Sequence, residues 1–401
     1  MADGQLARAV GVAGAVLMGL GSILGTGIFI SVGIAAGIAG PSVVIGIGIA
    51  AVVAILNGLS SAQLAASHPV SGGTYEYAYK YLNAPLGFVA GWTFLLAKSA
   101  SAATAALGFA RYVAGDDRAT TVALAVAVVG VLAMVVAGGI SRSNRTNAVI
   151  VCATLVGLAA FVVAGAGSIE ARNFAGIAEV DVHSLLHATA LSFVAFTGYG
   201  RIATLGEEVR DPARTIPRAI VIPLVATALL YISVVGVAIG NVGAARFATA
   251  PAPLEVLAPT RTLVAIAAVT AMAGVLLNLL LGLSRVLLAM GRRGDMPPAL
   301  ARLDARKSPR VAVIVTGVAI AGLALVGSVQ TTWSFSAFTV LVYYAITNLA
   351  ALRLPAEHRR FPRAVPALGL ASCLGLAFWV DPVIWLVGLG VIAGGLAWHL
   401  V

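Results

Sequence analysis

Charged residues are scarce in this sequence of 401 amino acids. Only 10% of the residues are Asp, Glu, Lys or Arg, whereas a soluble domain usually carries about a quarter. Apolar residues make up 60%, and the mean hydropathy is +1.01. Because this amount of charge cannot cover a water-facing surface, most of the chain must face lipid or other apolar helices. The composition therefore excludes a soluble protein and predicts an integral membrane protein.

Cysteine and metal-binding patterns are scarce as well. The two cysteines, Cys152 and Cys373, lie in apolar runs, so we expect buried thiols and no disulfide framework. No His, Cys and acid cluster has metal-ligand spacing, and no phosphate-binding glycine loop or nucleophile–base pair is present. We therefore predict neither an enzyme nor a cofactor or metal site.

Long apolar runs dominate the sequence. Twelve segments of about spanning length follow one another, the last two joined only by Asp381 and Pro382. They predict an all-α membrane protein with about twelve transmembrane helices in a single domain, 1–401. The predicted spans are 11–37, 41–66, 84–112, 119–140, 146–168, 184–204, 217–241, 261–290, 310–328, 331–353, 364–380 and 382–400.

The net charge of +10 is distributed unevenly along the chain. Most lysines and arginines fall in alternate connections between spans, which is a topology signal and not a nucleic-acid-binding stripe. This asymmetry places both termini in the cytoplasm of a multi-pass plasma (inner) membrane protein. The aromatic and charged segment 74–81, between spans 2 and 3, predicts a short amphipathic helix at the cytoplasmic interface.

Two of the spans carry glycine clusters near their middle. Span 1 contains Gly19, Gly21, Gly25 and Gly27, and each glycine costs about 0.8–1 kcal/mol relative to alanine inside a helix. If span 1 is considered by itself, close packing between helices is an alternative explanation for its glycines. Span 6 contains a second interruption at 198–200, however, and paired interruptions in two halves indicate the binding site of a transporter.

The chemistry of the broken ends predicts what such a site binds. After the first break, the free N–H groups of Thr26, Gly27 and Ile28 suit a carboxylate. Before each break, orphan carbonyls suit an ammonium group. An anion pole and a cation pole close together match an α-amino acid. The predicted substrate-binding residues are Ser22, Ile23, Gly25, Thr26, Gly27, Ile28, Phe193, Ala195, Phe196, Gly198 and Asn278.

Three of these residues carry alternatives that the sequence leaves open. Phe193 or Phe196 could close the cavity from outside or simply pack against neighbours. Asn278 on span 8 could face the cavity or hydrogen-bond a neighbouring helix.

Glu207 and Glu208 are expected to pair with arginines such as Arg285 or Arg142, as a gate or a structural pair.

Three stretches resemble a known group of membrane proteins. The run Gly21–Phe29 is similar to the Gly-x-Gly motif on helix 1 of the amino acid–polyamine–organocation (APC) transporters. Phe193–Ile220 resembles that superfamily's connection between helices 6 and 7, and Ser284–Pro297 resembles the end of helix 8 and the following loop. The stretches occur in the family's order and span nearly the whole chain.

The resemblance implies a LeuT-type fold. Two inverted repeats, 1–168 and 184–353, would be followed by two extra helices, 364–400. It also implies secondary active uptake or exchange of amino acids by alternating access. Some members carry a lysine on helix 5; the best-aligned position here is Thr154, so this sequence departs from that pattern. Thr154, like Ser336, otherwise reads as a hydroxyl bonded to its own backbone.

Lys98 is the only ionisable residue near the middle of a predicted span. A lysine at mid-bilayer costs about 2.5–3.5 kcal/mol on insertion scales. Two interpretations stay open: backbone carbonyls satisfy it for structure alone, or it binds and releases protons during the cycle. Lys98 and, from the resemblance, Thr154 are the candidate ion-coupling residues. Three alternatives stay open: Lys98 couples transport to protons, it stands in for a bound sodium ion, or transport is uncoupled.

The cargo is predicted to have a neutral side chain, because no Asp or Glu lies in the middle of spans 3, 6, 8 or 10. A channel is disfavoured, since no helix offers a continuous polar pore lining. The alternatives are an acidic amino acid that pairs with Lys98, an exchanger for cationic amino acids or polyamines, and a non-transporting amino acid sensor. The expected partners are the amino acid and the lipid bilayer, with no nucleic acid and no obligate protein partner.

Overall fold

The computed structural model describes residues 10–69, 72–138, 144–179, 181–203, 209–304 and 308–400. Helices account for nearly all of them, and the described residues form no β-strand, only one isolated parallel bridge between Val10 and Val209. The all-α prediction is therefore confirmed. The α-helices are α1 (Val12–Ile23), α2 (Val32–Ala39), α3 (Val43–Ser67), α4 (Thr74–Tyr81), α5 (Ala84–Ala114), α6 (Arg118–Ala137), α7 (Asn144–Ala166), α8 (Val182–Phe196), α9 (Gly200–Ala203), α10 (Pro212–Thr249), α11 (Arg261–Arg293), α12 (Arg310–Val326), α13 (Val329–Leu352), α14 (Ala364–Ala377) and α15 (Pro382–Leu400).

Eight helical stretches among the described residues are long and apolar enough to cross a membrane. The first, Val12–Ser67, is interrupted and covers two predicted spans, while α12 and α14 are shorter apolar helices. Burial separates inner from outer helices. The most apolar windows of α5 and α13 are 72% and 78% buried, against 22% for α6 and 11% for α15. α5 and α13 are therefore interior helices, and α6 and α15 expose apolar faces suited to lipid.

The short helix expected at 74–81 is confirmed as α4, but its position differs from a helix lying on the surface. Tyr75 and Tyr77 are fully buried against neighbouring helices. Tyr75 Oη and Tyr79 Oη both donate hydrogen bonds to the buried carboxylate of Asp295, at 2.6 and 2.8 Å. The amphipathic pattern showed that a helix forms, whereas Asp295, more than 200 residues away, holds it in place.

The two cysteines differ from each other. Cys373 is buried on α14, as expected, and its thiol donates to Asn57 Oδ1 at 3.2 Å. Cys152 is exposed on α7, so the expectation of a second buried thiol is wrong. An apolar run cannot distinguish the face of a membrane helix that meets lipid from the face that meets protein. The acidic pair Glu207 and Glu208 lies outside the described residues.

Both predicted interruptions are visible in the backbone. α1 ends at Ile23, Leu24 takes an extended conformation, and a π-helical turn, Gly27–Ser31, begins three residues later. α8 ends at Phe196 and passes through a 3-10 turn, Thr197–Tyr199, before α9. The chain therefore leaves regular helix at each of the two glycine clusters.

Candidate functional site

The two breaks cross each other at glycines. A methyl group at position 198 would collide with the carbonyl oxygen of Ser22 and lie 2.6 Å from the amide nitrogen of Ile23. A methyl group at position 27 would lie 2.5 Å from Ala195 Cβ. Only glycine allows the two backbones to approach this closely. The glycines therefore have a packing role as well as interrupting the helices.

The first break presents hydrogen-bond donors to the interior. The amide N–H groups of Gly25, Thr26 and Gly27 donate to no carbonyl within the part of the chain that the structure describes, whereas those of Ile28 and Phe29 both reach the Gly25 carbonyl. The hydroxyl of Thr26 is also buried without a hydrogen-bond partner among the described residues. Buried donors of this kind call for an acceptor that the chain itself does not supply.

The expected orphan carbonyls are partly occupied by tyrosines. Tyr231 Oη on α10 donates to the carbonyl of Ile23 at 3.0 Å, and Tyr344 Oη on α13 donates to the carbonyl of Thr197 at 3.2 Å. Neither tyrosine was among the residues predicted from the sequence. A buried tyrosine needs a hydroxyl partner, so a tyrosine inside an apolar span was the available signal.

A cavity of about 610 Å³ opens at the crossing of the breaks. It runs from the first break to Gly72 and Tyr75 at α4, and Trp333 and Tyr344 of α13 form part of its wall. The predicted site residues that line it are Ser22, Ile23, Thr26, Gly27, Ala195, Gly198, Asn278 and Lys98. The sequence alone thus pointed to residues that the fold brings together from four separate spans.

The other predicted residues do not line the cavity. Gly25 faces α11, where a methyl group would lie 2.5 Å from Val275 Cγ2, and Ile28 is fully buried. Phe193 packs edge-on against Tyr344, and Phe196 packs against Tyr231. Of the two alternatives for these phenylalanines, the structure therefore shows packing against neighbouring rings.

Thr154 also lies away from the cavity. Its hydroxyl donates to the carbonyl of Ile150 in the same helix at 2.8 Å. Ser336, expected to bond its own backbone, instead pairs its hydroxyl with that of Ser101 at 2.8 Å.

Three basic side chains line the cavity. Lys98 is buried on α5 and donates to Thr197 Oγ1 at 2.9 Å, directly in the second break. Arg201 on α9 donates to Asn278 Oδ1 at 3.1 Å, so Asn278 both faces the cavity and bonds another helix. Arg285 on α11 is the third. Among the described lining residues there is no Asp or Glu, so the ionisable acid–base pairs expected around a cationic ligand are absent from this described lining.

The end of the cavity at α4 is bordered by a polar cluster. Burial, and then the hydrogen bond to Asp295, raise the pKa of Tyr75 and of Tyr79, so both phenols stay protonated donors. The guanidinium of Arg293 pairs with Glu76 at 2.6 Å and stacks 4.1 Å from the ring centre of Tyr79. These contacts fix the cavity wall at α4 to the end of α11.

An all-helical membrane protein with two broken helices around a central cavity defines a class, the polytopic transporters. The fold itself is a known one: the chain matches the crystal structure of MhsT in complex with L-phenylalanine with a TM-score of 0.65, over 97% of this chain and 100% of that one, at 16% identity. The LeuT-type fold is thereby confirmed.

Sequence comparison gives the family. The amino acid permease family matches residues 14–397. An uncharacterized transporter of Mycobacterium tuberculosis is 43% identical over 402 residues, covering 98% of this chain and 91% of its own. The branched-chain amino acid permease BcaP of Bacillus subtilis is 27% identical, covering 96% and 91%. The chain therefore belongs to the amino acid permease family, as its resemblance to the APC transporters implied.

Proposed function

We propose that this permease carries amino acids with neutral side chains across the membrane by alternating access. The observation that carries the proposal is the first break, where buried donors without a partner, the Thr26 hydroxyl and the amide groups of Gly25–Gly27, adjoin the carbonyls of Ser22 and Ile23. A substrate carboxylate would accept from the donors, and its ammonium group would donate to the carbonyls. The carboxylate and the ammonium group of the substrate are thus recognised by backbone groups and by the Thr26 hydroxyl.

The basic lining disfavours a cationic side chain. A cationic amino acid or a polyamine would meet Lys98, Arg201 and Arg285 without a carboxylate among the described lining residues. Like charges in a confined, partly desolvated space repel strongly. The cationic exchanger is therefore the weaker alternative.

In this proposal, Lys98 is the residue that couples transport to protons. Its ammonium group reaches the second break itself, through Thr197, whereas Thr154 is bonded within its own helix outside the cavity. A lysine at this position can gain or lose a proton as the break rearranges, because its hydrogen-bond partner belongs to the moving element. Proton symport is the mode of transport that this arrangement supports.

The wider architecture follows from the same proposal. The interruptions of α1 and α8 stand at corresponding places in 1–168 and 184–353, as two inverted repeats require. With twelve spans, both termini and α4 would lie on the cytoplasmic side of the plasma membrane, because most basic connections lie on that side. The cavity, which extends toward α4, would face inward.

Uptake by proteoliposomes containing the purified full chain tests this function. We expect labelled L-leucine to accumulate against its gradient when the outside is acidic, and unlabelled L-alanine to compete better than L-arginine. Passive equilibration alone would indicate a channel, and binding without flux would indicate a sensor. Preferential competition by L-arginine would overturn the neutral cargo while leaving amino acid transport intact.

A further inference from the structure

The last turn of α15 reaches the polar cluster that fixes α4. His399 stacks its ring on that of Phe88 on α5, with 4.5 Å between the ring centres. Its Nδ1 lies 3.5 Å from Oδ1 of Asp295, which is ion-pair distance when the imidazole is protonated. The side chains of His399 and Asp295 are only 17% and 6% exposed. A helix that otherwise exposes apolar faces therefore ends beside a buried carboxylate.

The position of His399 is set by the docking of α15 on α5. Trp92 Nε1 on α5 donates to the carbonyl of Val391 at 2.9 Å. A methyl group at position 395 would collide with the Trp92 ring, so Gly395 allows the two helices to approach closely. Gly395 and His399 are four residues apart and share one face of α15. The docked face therefore directs the imidazole toward Asp295.

Asp295 connects His399 to the wall of the central cavity. Its carboxylate accepts hydrogen bonds from Tyr75 and Tyr79 of α4, and Tyr75 lines the cavity. An imidazolium beside the same carboxylate adds an attraction between opposite charges, which a neutral imidazole lacks. The charge on one histidine therefore affects the acceptor that attaches α4 to the end of α11.

The other ionisable groups of this cluster do not change their charge near neutral pH. Burial, and then the hydrogen bond to Asp295, raise the pKa of Tyr75 and of Tyr79, so both stay protonated. Arg293 keeps its charge and pairs with Glu76 at 2.6 Å. Imidazole, in contrast, ordinarily changes its charge between about pH 5 and pH 8. The charged and titratable side chains of the neighbouring elements are Tyr75, Glu76, Tyr79 and Lys80 on α4 and Arg292, Arg293 and Asp295 at the end of α11, whereas α5 contributes the neutral rings of Phe88 and Trp92.

A second histidine, His68, contacts another face of α4. Burial, and then the ammonium group of Lys80 at 2.9 Å, lower the pKa of His68. Its ring lies against Tyr77, which points away from Tyr75 and Tyr79 because successive helical residues are about 100° apart. An effect of His68 therefore does not pass through Asp295.

We propose that His399 is a positioning residue of the cavity wall, whose imidazolium pairs with Asp295 and holds α4 in place in acid. The proposal rests on the transport function proposed above and adds control of transport by the pH on the side of α4. The pair exists only while the imidazole carries its proton, so its contribution is present at low pH and is lost as the pH rises. Loss of the pair frees α4 to move when the carrier reorients.

A double-mutant cycle on the full chain tests the pair. His399→Phe keeps a ring stacked on Phe88 and removes the charge, and Asp295→Asn keeps an oxygen acceptor and removes the opposite charge. Melting temperatures of the two variants, of the double variant and of the unaltered protein are measured without substrate at about pH 6 and about pH 8. His358→Phe is the control, since His358 lies 3.7 Å from Glu357 but is half exposed.

We expect His399→Phe to lower the melting temperature by about 2–4 °C near the acid value and to have almost no effect near the alkaline value. In the Asp295→Asn background the same substitution should lose this dependence on pH, because the partner charge is gone. His358→Phe should resemble the unaltered protein at both values, since an exposed pair contributes little.

Exchange of L-leucine by proteoliposomes shows whether the pair acts on transport. The pH is equal on both sides, so no proton gradient contributes. We expect His399→Phe to exchange about three- to fivefold faster than the unaltered protein in acid, and at the same rate as the unaltered protein in alkali. A side chain that only packs against Phe88 would not produce this difference between the two pH values.

Three results would overturn the proposal. Equal lowering of the melting temperature at both pH values would show that the ring contact matters and the charge does not. A pH dependence that survives in the Asp295→Asn background would assign His399 to another partner. The expected melting cycle with unchanged exchange would make the pair purely structural. Failure of the unaltered protein to exchange L-leucine would instead contradict the proposed function, and the melting cycle, which needs no substrate, would still decide the pairing.

Discussion

The ammonium group of Lys98 and the hydroxyl of Thr197 are joined by a hydrogen bond of 2.9 Å that links α5 to the second helix break. Thr197 Oγ1 in turn donates to the carbonyl of Val194, at the end of α8. The charge on α5 is therefore linked to the same backbone that closes over Ser22 in the first break. A change at Lys98 reaches the candidate substrate site through one hydroxyl.

Lys98→Ala is expected to remove the response of uptake to a proton gradient, because no titratable group then remains on α5 at the break. Lys98→Arg should also lose it, since a guanidinium stays charged at every accessible pH. Amino acid binding, measured by thermal shift, should survive in both variants. Uptake by Lys98→Ala that still follows the gradient would show that the lysine is structural.

Thr26→Val is expected to act with opposite signs on stability and on binding. The Thr26 hydroxyl is buried without a partner among the described residues, so its removal should leave the substrate-free protein as stable or more so. Affinity for the amino acid should fall about tenfold or more, because a hydrogen bond to a charged group contributes roughly 1.5–3 kcal/mol.

Melting temperature without substrate and affinity by thermal titration measure the two effects of Thr26→Val. Thr227→Val is the control, since Thr227 is a buried threonine bonded to the carbonyl of Pro223 on its own helix. Unchanged affinity in Thr26→Val would place the carboxylate elsewhere.

Gly198→Ala is expected to separate the two breaks. The added methyl group would collide with the Ser22 carbonyl, and overpacking of this kind costs roughly 1–3 kcal/mol. We expect a lower melting temperature and loss of uptake. Gly236→Ala on α10 is the control, because nothing lies within 4 Å of its added carbon; it should be neutral or stabilise by up to about 1 kcal/mol. Normal uptake by Gly198→Ala would contradict the crossing described above.

Asp295→Ala is expected to release α4. Tyr75 and Tyr79 would lose their common acceptor, and a buried donor left without a partner costs roughly 1–3 kcal/mol. Arg172→Ala provides the comparison, since its ion pair with Glu170 is exposed and such pairs contribute about 0–1 kcal/mol. Thermal unfolding in detergent should show a clear loss for the first variant and almost none for the second. Equal losses would indicate that α4 is held by other contacts.

The sequence predicted some features well and others poorly, for physical reasons. The start of each long helix was recoverable to within a few residues because apolar runs are local, and glycine clusters located both breaks. The side chains that complete the site were harder to find. Tyr231, Tyr344 and Thr197 act through partners on other helices, and their spacing along the chain carries no signal of that contact. The same applies to Cys152, whose apolar neighbours were equally compatible with lipid and with protein.

The sequence by itself determined a helical membrane protein with two interrupted helices, because hydropathy and glycine content act through the local backbone. It also predicted which kind of ligand the interruption suits, since free N–H and carbonyl groups are expected at a helix break. Only the tertiary structure decided which residues face the cavity. It set Lys98 against Thr197, placed three basic side chains around one space, and brought His399 to Asp295. Those relationships depend on how helices pack, which is fixed by contacts between residues far apart in the chain.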